Sequence, residues 1–114
     1  WIKQVVEFII SDANQAPVEI HCRLGTDRTG VFSAVIASLM GASWNDIVSD
    51  YQSSNNMAIK EFRDYKLLKY SFEKMLKIDL DDSSVILQQE MTTYMISNGY
   101  LTQTQIDALI VKLK

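Results

Sequence analysis

Apolar residues Ile2, Val5, Val6, Ile9 and Ile10 recur at helical spacing, which predicts a helix with one buried face over about residues 1–13. The polar run from Asp12 to Pro17 ends it. Val18-Glu19-Ile20-His21 alternates apolar and polar positions, is β-branched on the apolar ones, and follows Pro17, a pattern that predicts one strand. A polar loop bracketed by Gly25 and Gly30 comes next. From about Arg28 to Met40 nearly every position is apolar or small, so the spacing predicts a helix buried on most sides, with Gly41 as its C-terminal cap.

Ser43-Trp44-Asn45-Asp46 resembles a capping box and predicts a helix through about Ser53, closed by Ser54-Asn55-Asn56. The next helix is predicted over about 58–77, with Leu68, Phe72, Met75 and Leu76 on one face and lysines on the other. Asp79 to Ser84 is a polar break. Two amphipathic helices follow, marked by Leu87, Met91, Tyr94 and Met95 and then by Ile106, Leu109, Ile110 and Leu113, the last capped by Thr102 with Gln105. The sum is one strand, about six helices, no repeat, no low-complexity tract and no linker. A solitary strand cannot satisfy its own edge groups, so the chain reads as the C-terminal, mostly helical part of a larger α/β domain. The rest of the sheet would come from residues outside the chain or from a second copy in a homodimer. A start at Trp1, with no Met, reads as a cut or processed end.

At 114 residues the chain holds one domain at most. Its hydrophobic fraction of 47% and charged fraction of 22% are ordinary for a soluble globular protein, and no apolar run reaches the roughly 18 residues that would cross a bilayer. The compartment stays open. A formal net charge of -3 excludes a surface built for nucleic acid, so any anion site is local. With one cysteine and one histidine the chain forms no internal disulfide and no zinc site from those ligands.

The chemistry concentrates in His21-Cys22-Arg23-Leu24-Gly25-Thr26-Asp27-Arg28-Thr29-Gly30, between the strand and the buried helix. A helix N-terminus offers unpaired N–H groups and partial positive charge, and a loop wrapping back before it adds donors, which together make a cradle for phosphate. Residues 22–28 would line it, with Gly25 permitting the tight curvature and Arg28 presenting a planar fork to two phosphate oxygens. A thiolate at the base of such a cradle is stabilised by the same dipoles and guanidinium, so Cys22 is the candidate nucleophile. Thr29 can donate its hydroxyl to the sulfur and ease its departure. Asp27 is the only carboxylate whose position in sequence guarantees proximity, and it is the candidate general acid. His21 orients the loop rather than acting as a base. No cofactor and no metal are implied.

This segment resembles the Cys-x5-Arg-Ser/Thr signature of the protein tyrosine phosphatase superfamily. It is most similar to the branch with His-Cys-x-x-Gly-Lys-Asp-Arg-Thr-Gly loops, found in bacterial tyrosine and lipid phosphatases. Gly41-Ala-Ser-Trp-Asn-Asp-Ile-Val-Ser-Asp-Tyr51 looks like that family's segment after the loop helix, and Leu101-Thr-Gln-Thr-Gln-Ile-Asp-Ala-Leu109 looks like its closing helix, so the likeness covers about residues 18–55 and 94–114. The resemblance implies a tyrosine-phosphatase-like fold. Residues 1–114 would be a partial catalytic domain, with the phosphate-binding loop at 21–30 and a helical region at 31–114. It also implies hydrolysis of phosphotyrosine or another phosphomonoester through a cysteinyl-phosphate intermediate, and in that branch the loop Asp has been assigned the acid role, which falls here on Asp27.

Two departures qualify the likeness. Thr26 stands where that branch usually has Lys, which ranks a phosphoinositide or inositol-phosphate substrate lower. Most tyrosine phosphatases take their acid from a loop well upstream of the cysteine, and only 21 residues precede Cys22. A loop that grips phosphate without turnover, as a binding module or inactive fragment, is the competing class.

Plainer readings apply to other residues. Arg23 is ordinarily a solvated side chain, and Asp27 also suits a helix N-terminus through the dipole, worth about 0.3–1 kcal/mol. Asp50 and Tyr51 read as an ordinary helix face before they read as neighbours of the loop. Met40, Met57, Met75, Met91 and Met95 fit core packing. Lys60, Lys66, Lys69, Lys74 and Lys77 are interleaved with acids and read as a wet helix surface rather than a membrane patch.

Overall fold

The computed structural model describes residues 2–11, 17–19, 28–56 and 64–114. Six α-helices appear among them: α1 (Ile2–Ile10), α2 (Arg28–Leu39), α3 (Trp44–Gln52), α4 (Tyr65–Leu76), α5 (Leu87–Ser97) and α6 (Gln103–Leu113), with a 3-10 turn at Ser53–Asn56. There is no strand among the described residues. Pro17, Val18 and Glu19 are irregular, while Ile20 and His21, the rest of the expected strand, lie outside the described residues. Strand geometry needs a laddered neighbour, and alternation along one segment does not supply one.

Helix α2 has the most buried residues of the six helices. It lies against α3 and α5, α1 packs on α6, and α4 joins α3 and α5. Its sequence is apolar all round, and Phe32, Ala34, Val35, Ile36, Ser38 and Leu39 are buried accordingly. Ser38 is tolerated there because its hydroxyl donates to the Ala34 carbonyl at 2.7 Å. Val6 and Ile9 from α1, Ile47 and Tyr51 from α3, Leu68 and Phe72 from α4, Leu87, Met91 and Met95 from α5, Leu101 before α6, and Ile106 and Leu109 from α6 complete the core. Met40 and Met75 pack against it half-buried, and Met57 lies outside the described residues.

Local chemistry explains where the helices stop. Gly41 takes φ +94°, its N–H reaches the Ser38 carbonyl at 3.1 Å, and the Ala42 N–H reaches the Ala37 carbonyl at 3.0 Å. This pair of bonds is a Schellman cap, and the positive φ is the reason for glycine. The Gln88 side-chain amide adds a 2.9 Å bond to the Leu39 carbonyl, so α5 closes the C-terminal end of α2. Ser43 caps α3 by accepting from the Asp46 N–H at 3.1 Å, as its spacing predicted. The Thr102–Gln105 capping box is complete in both directions, at 3.0 and 3.2 Å.

Two boundaries differ from the periodicity, while α3 ends at Gln52, within a residue of the expected Ser53, and the 3-10 turn Ser53–Asn56 closes it. α1 ends at Ile10 rather than near 13. The helix expected from 58 starts at Tyr65, because Asp64 is extended and its carboxylate accepts from the Lys66 N–H at 2.9 Å; residues 57–63 lie outside the described residues. A short Asp side chain offers its backbone a local alternative to helix, and here the alternative wins. Lys77 ends α4 in the left-handed region, its N–H bonded to the Glu73 carbonyl at 2.8 Å.

Candidate functional site

Of the loop that carries the chemistry in sequence, residues 21–27 lie outside the described residues, including Cys22, Arg23, Leu24, Gly25, Thr26, Asp27 and His21. Arg28, Thr29 and Gly30 are described, and they form the first turn of α2. The first four N–H groups of a helix have no partner within it, and the aligned peptide dipoles leave partial positive charge at that end. The loop therefore runs directly into a helix terminus that favours anions. Arg28 is exposed, so its guanidinium is open to a ligand in solution.

Thr29 holds the most telling atom. Its hydroxyl oxygen is shut off from solvent and has no hydrogen-bond partner among the described residues. A hydroxyl in that state costs about 1–3 kcal/mol unless something satisfies it. In a helix interior Thr normally bonds back to a carbonyl one turn earlier, but Thr29 is the second residue of α2, and residues 25 and 26, one turn earlier, lie outside the described residues. Its position leaves the hydroxyl to serve a group outside the helix.

Gly30 and Tyr51 meet at close range. A Cβ on Gly30 would sit 3.0 Å from Tyr51 Cε2 and 3.1 Å from Cδ2, closer than side chains normally approach. Tyr51 is buried, and its ring lies across the first turn of α2. The ordinary helix-face reading of Tyr51 is thus corrected: α3 buries this residue against the start of the site helix. The signal was available in the Gly30 position, since a glycine inside a helix is unfavourable and implies close approach of a neighbour. Asp50 is exposed and lines the groove between α2 and α3 together with Gly30, Ala34 and Ala37.

Gly30→Ala should lower stability by about 1 kcal/mol in urea unfolding: alanine gains about 1 kcal/mol in helix propensity, and overpacking costs about 1–3 kcal/mol. The packing cost wins because the buried Tyr51 ring has little room to retreat. Combined with Tyr51→Leu the two losses should be less than additive.

Among the described residues no group of three or more His, Cys, Asp or Glu is placed to hold a metal ion, and no helix is long and apolar enough to cross a membrane.

α2 thus begins Arg-Thr-Gly, directly after the segment of the sequence that holds Cys22, and a helix N-terminus favours anions. A model of the tyrosine phosphatase family matches residues 1–113, nearly the whole chain, and the chain belongs to that family. The family places it among the phosphatases, hydrolases of phosphoesters. The match is wider than the two stretches that carried the resemblance. No curated protein and no solved structure matched the chain.

Proposed function

We propose that the chain is a phosphomonoesterase acting on phosphotyrosine substrates through a cysteinyl-phosphate intermediate, with the loop at 21–30 as its centre. The observation that carries this reading is the buried Thr29 hydroxyl, without a partner among the described residues, one residue after Arg28. A sulfur at Cys22 is the group in the sequence that such a donor suits, because a hydrogen bond to a charged acceptor contributes about 1.5–3 kcal/mol.

In the first step the Cys22 thiolate attacks phosphorus, a P–S bond forms and the P–O bond to the leaving group breaks. Asp27 in its protonated form delivers its proton to the departing oxygen. The Arg28 fork and the N–H groups of residues 22–28 hold the equatorial oxygens, whose charge is greatest in the transition state. In the second step water attacks phosphorus, Asp27 takes the proton from it, and sulfur leaves as a thiolate stabilised by the Thr29 hydroxyl and the α2 dipole. Inorganic phosphate is released and both residues return to their starting states. His21 orients the loop.

The test is turnover of an aryl phosphate by the chain. Hydrolysis that vanadate inhibits supports the reading, and stabilisation by phosphate without turnover would assign a binding module instead. Thr29→Val separates the hydroxyl's chemical role from a structural one. It keeps the shape and removes the unsatisfied oxygen, so stability should hold or rise by about 1 kcal/mol while the second step slows about 10- to 100-fold, seen as a larger burst relative to steady state. Unchanged turnover would remove Thr29 from the mechanism.

A further inference from the structure

The exposed face of α4 combines cations with large apolar side chains. At about 100° per residue, Lys66, Leu67, Tyr70, Ser71 and Lys74 fall within a sector of about 140°, and Lys77 just past the helix end continues it. All six are exposed. Leu67 is 63% exposed and Tyr70 65%, and the Lys74 ammonium lies 5.8 Å from the centre of the Tyr70 ring, so cation and aromatic face solvent together.

No carboxylate falls in that sector. Three of the described acids that alternate with these lysines in sequence are engaged elsewhere. Asp64 accepts the Lys66 backbone N–H at 2.9 Å, Glu73 accepts the Leu80 N–H at 2.9 Å, and Asp81 pairs with Lys69 at 2.7 Å, a bond that holds the Lys69 ammonium above its ordinary pKa. The interleaving that reads as a neutral wet surface therefore resolves in three dimensions into a basic face on a chain of net charge -3. A surface for soluble anions alone has no use for a leucine and a tyrosine standing in water between its lysines. That combination matches a lipid interface, where phosphate headgroups and the acyl boundary lie within a few ångströms of each other.

We propose that Lys66, Leu67, Tyr70, Lys74 and Lys77 on α4 dock the chain on an anionic lipid surface. The cations meet the headgroups while Leu67 and the Tyr70 ring enter the interface.

The test is co-sedimentation of the whole chain with phosphatidylcholine vesicles, with and without about 30% phosphatidylserine, at several salt concentrations. Binding should require the anionic lipid and weaken with salt. Lys66→Gln with Lys74→Gln should lower partitioning about 30-fold, at roughly fivefold per lysine. Leu67→Ser with Tyr70→Ser should lower it on the order of tenfold, with the unfolding midpoint unchanged. Cys22→Ser should bind like the parent, which separates this proposal from the catalytic one. Equal binding to pure phosphatidylcholine, or absence of binding to both vesicle types, overturns it. So does equally tight binding to soluble polyglutamate or single-stranded RNA that survives loss of Leu67 and Tyr70, which would assign the face to an acidic macromolecule.

Discussion

Cys22→Ser lowers kcat on an aryl phosphate by at least about three orders of magnitude, the scale on which removal of a nucleophile acts. A hydroxyl in the place of the thiol meets the same dipoles and the same guanidinium, but they cannot stabilise an alkoxide at neutral pH as they stabilise a thiolate. The loop amides and Arg28 are untouched, so phosphate still protects the variant against thermal unfolding. Loss of turnover with retained phosphate protection is the signature of a missing nucleophile. Loss of both would point to a damaged fold, and retention of turnover would exclude Cys22 from the chemistry.

Arg28→Lys lowers kcat about 10²- to 10³-fold, the loss typical of removing one donor from a site that holds transition-state charge. The substitution keeps the charge and the helix, since lysine is a good helix former at the first residue of α2. It removes the planar pair of donors, and an ammonium cannot grip two phosphate oxygens in fixed geometry. Steady-state kinetics should show the loss mainly in kcat, because the fork is matched to charge that grows along the reaction coordinate. An equal loss confined to KM would make Arg28 a ground-state binding group only.

Much of this architecture was legible in the sequence because its signals are local. The periodicity around Leu68 and Phe72, the Thr102–Gln105 capping box and the Gly41 turn each depend on residues within a few positions of one another, and each is present in the fold. What the sequence hid depends on partners far along the chain. Asp64 interrupts the helix expected from 58 because its carboxylate finds the Lys66 N–H, a competition that hydrophobic spacing does not register. Tyr51 read as a helix-face residue because its contact is with Gly30, more than five turns of chain away in sequence and adjacent only once α3 folds back on α2. The lysines of α4 read as balanced by acids because sequence order gives proximity, whereas capping and ion pairing decide which way each carboxylate is used.

The proposed site is a local signal of another kind. A phosphate cradle needs its donors at fixed offsets along one loop and helix start, so the candidate residues all fall within ten consecutive positions, His21 to Gly30, of which only Arg28, Thr29 and Gly30 are among the described residues. The burial of the Thr29 hydroxyl was not readable in that way. It follows from the packing of α2 against other elements, and it turns a threonine expected from its position into one whose hydroxyl lacks a partner among the described residues.

The claim beneath the mechanism is that Cys22 is a thiolate at neutral pH. Because the sequence contains a single cysteine, the rate of alkylation by iodoacetamide across pH reports that thiol alone in the folded chain. The account predicts a rate already at its plateau by about pH 7 and suppressed by phosphate, which would compete for the same loop. A rate that climbs only through the range of an ordinary thiol, indifferent to phosphate, would contradict it.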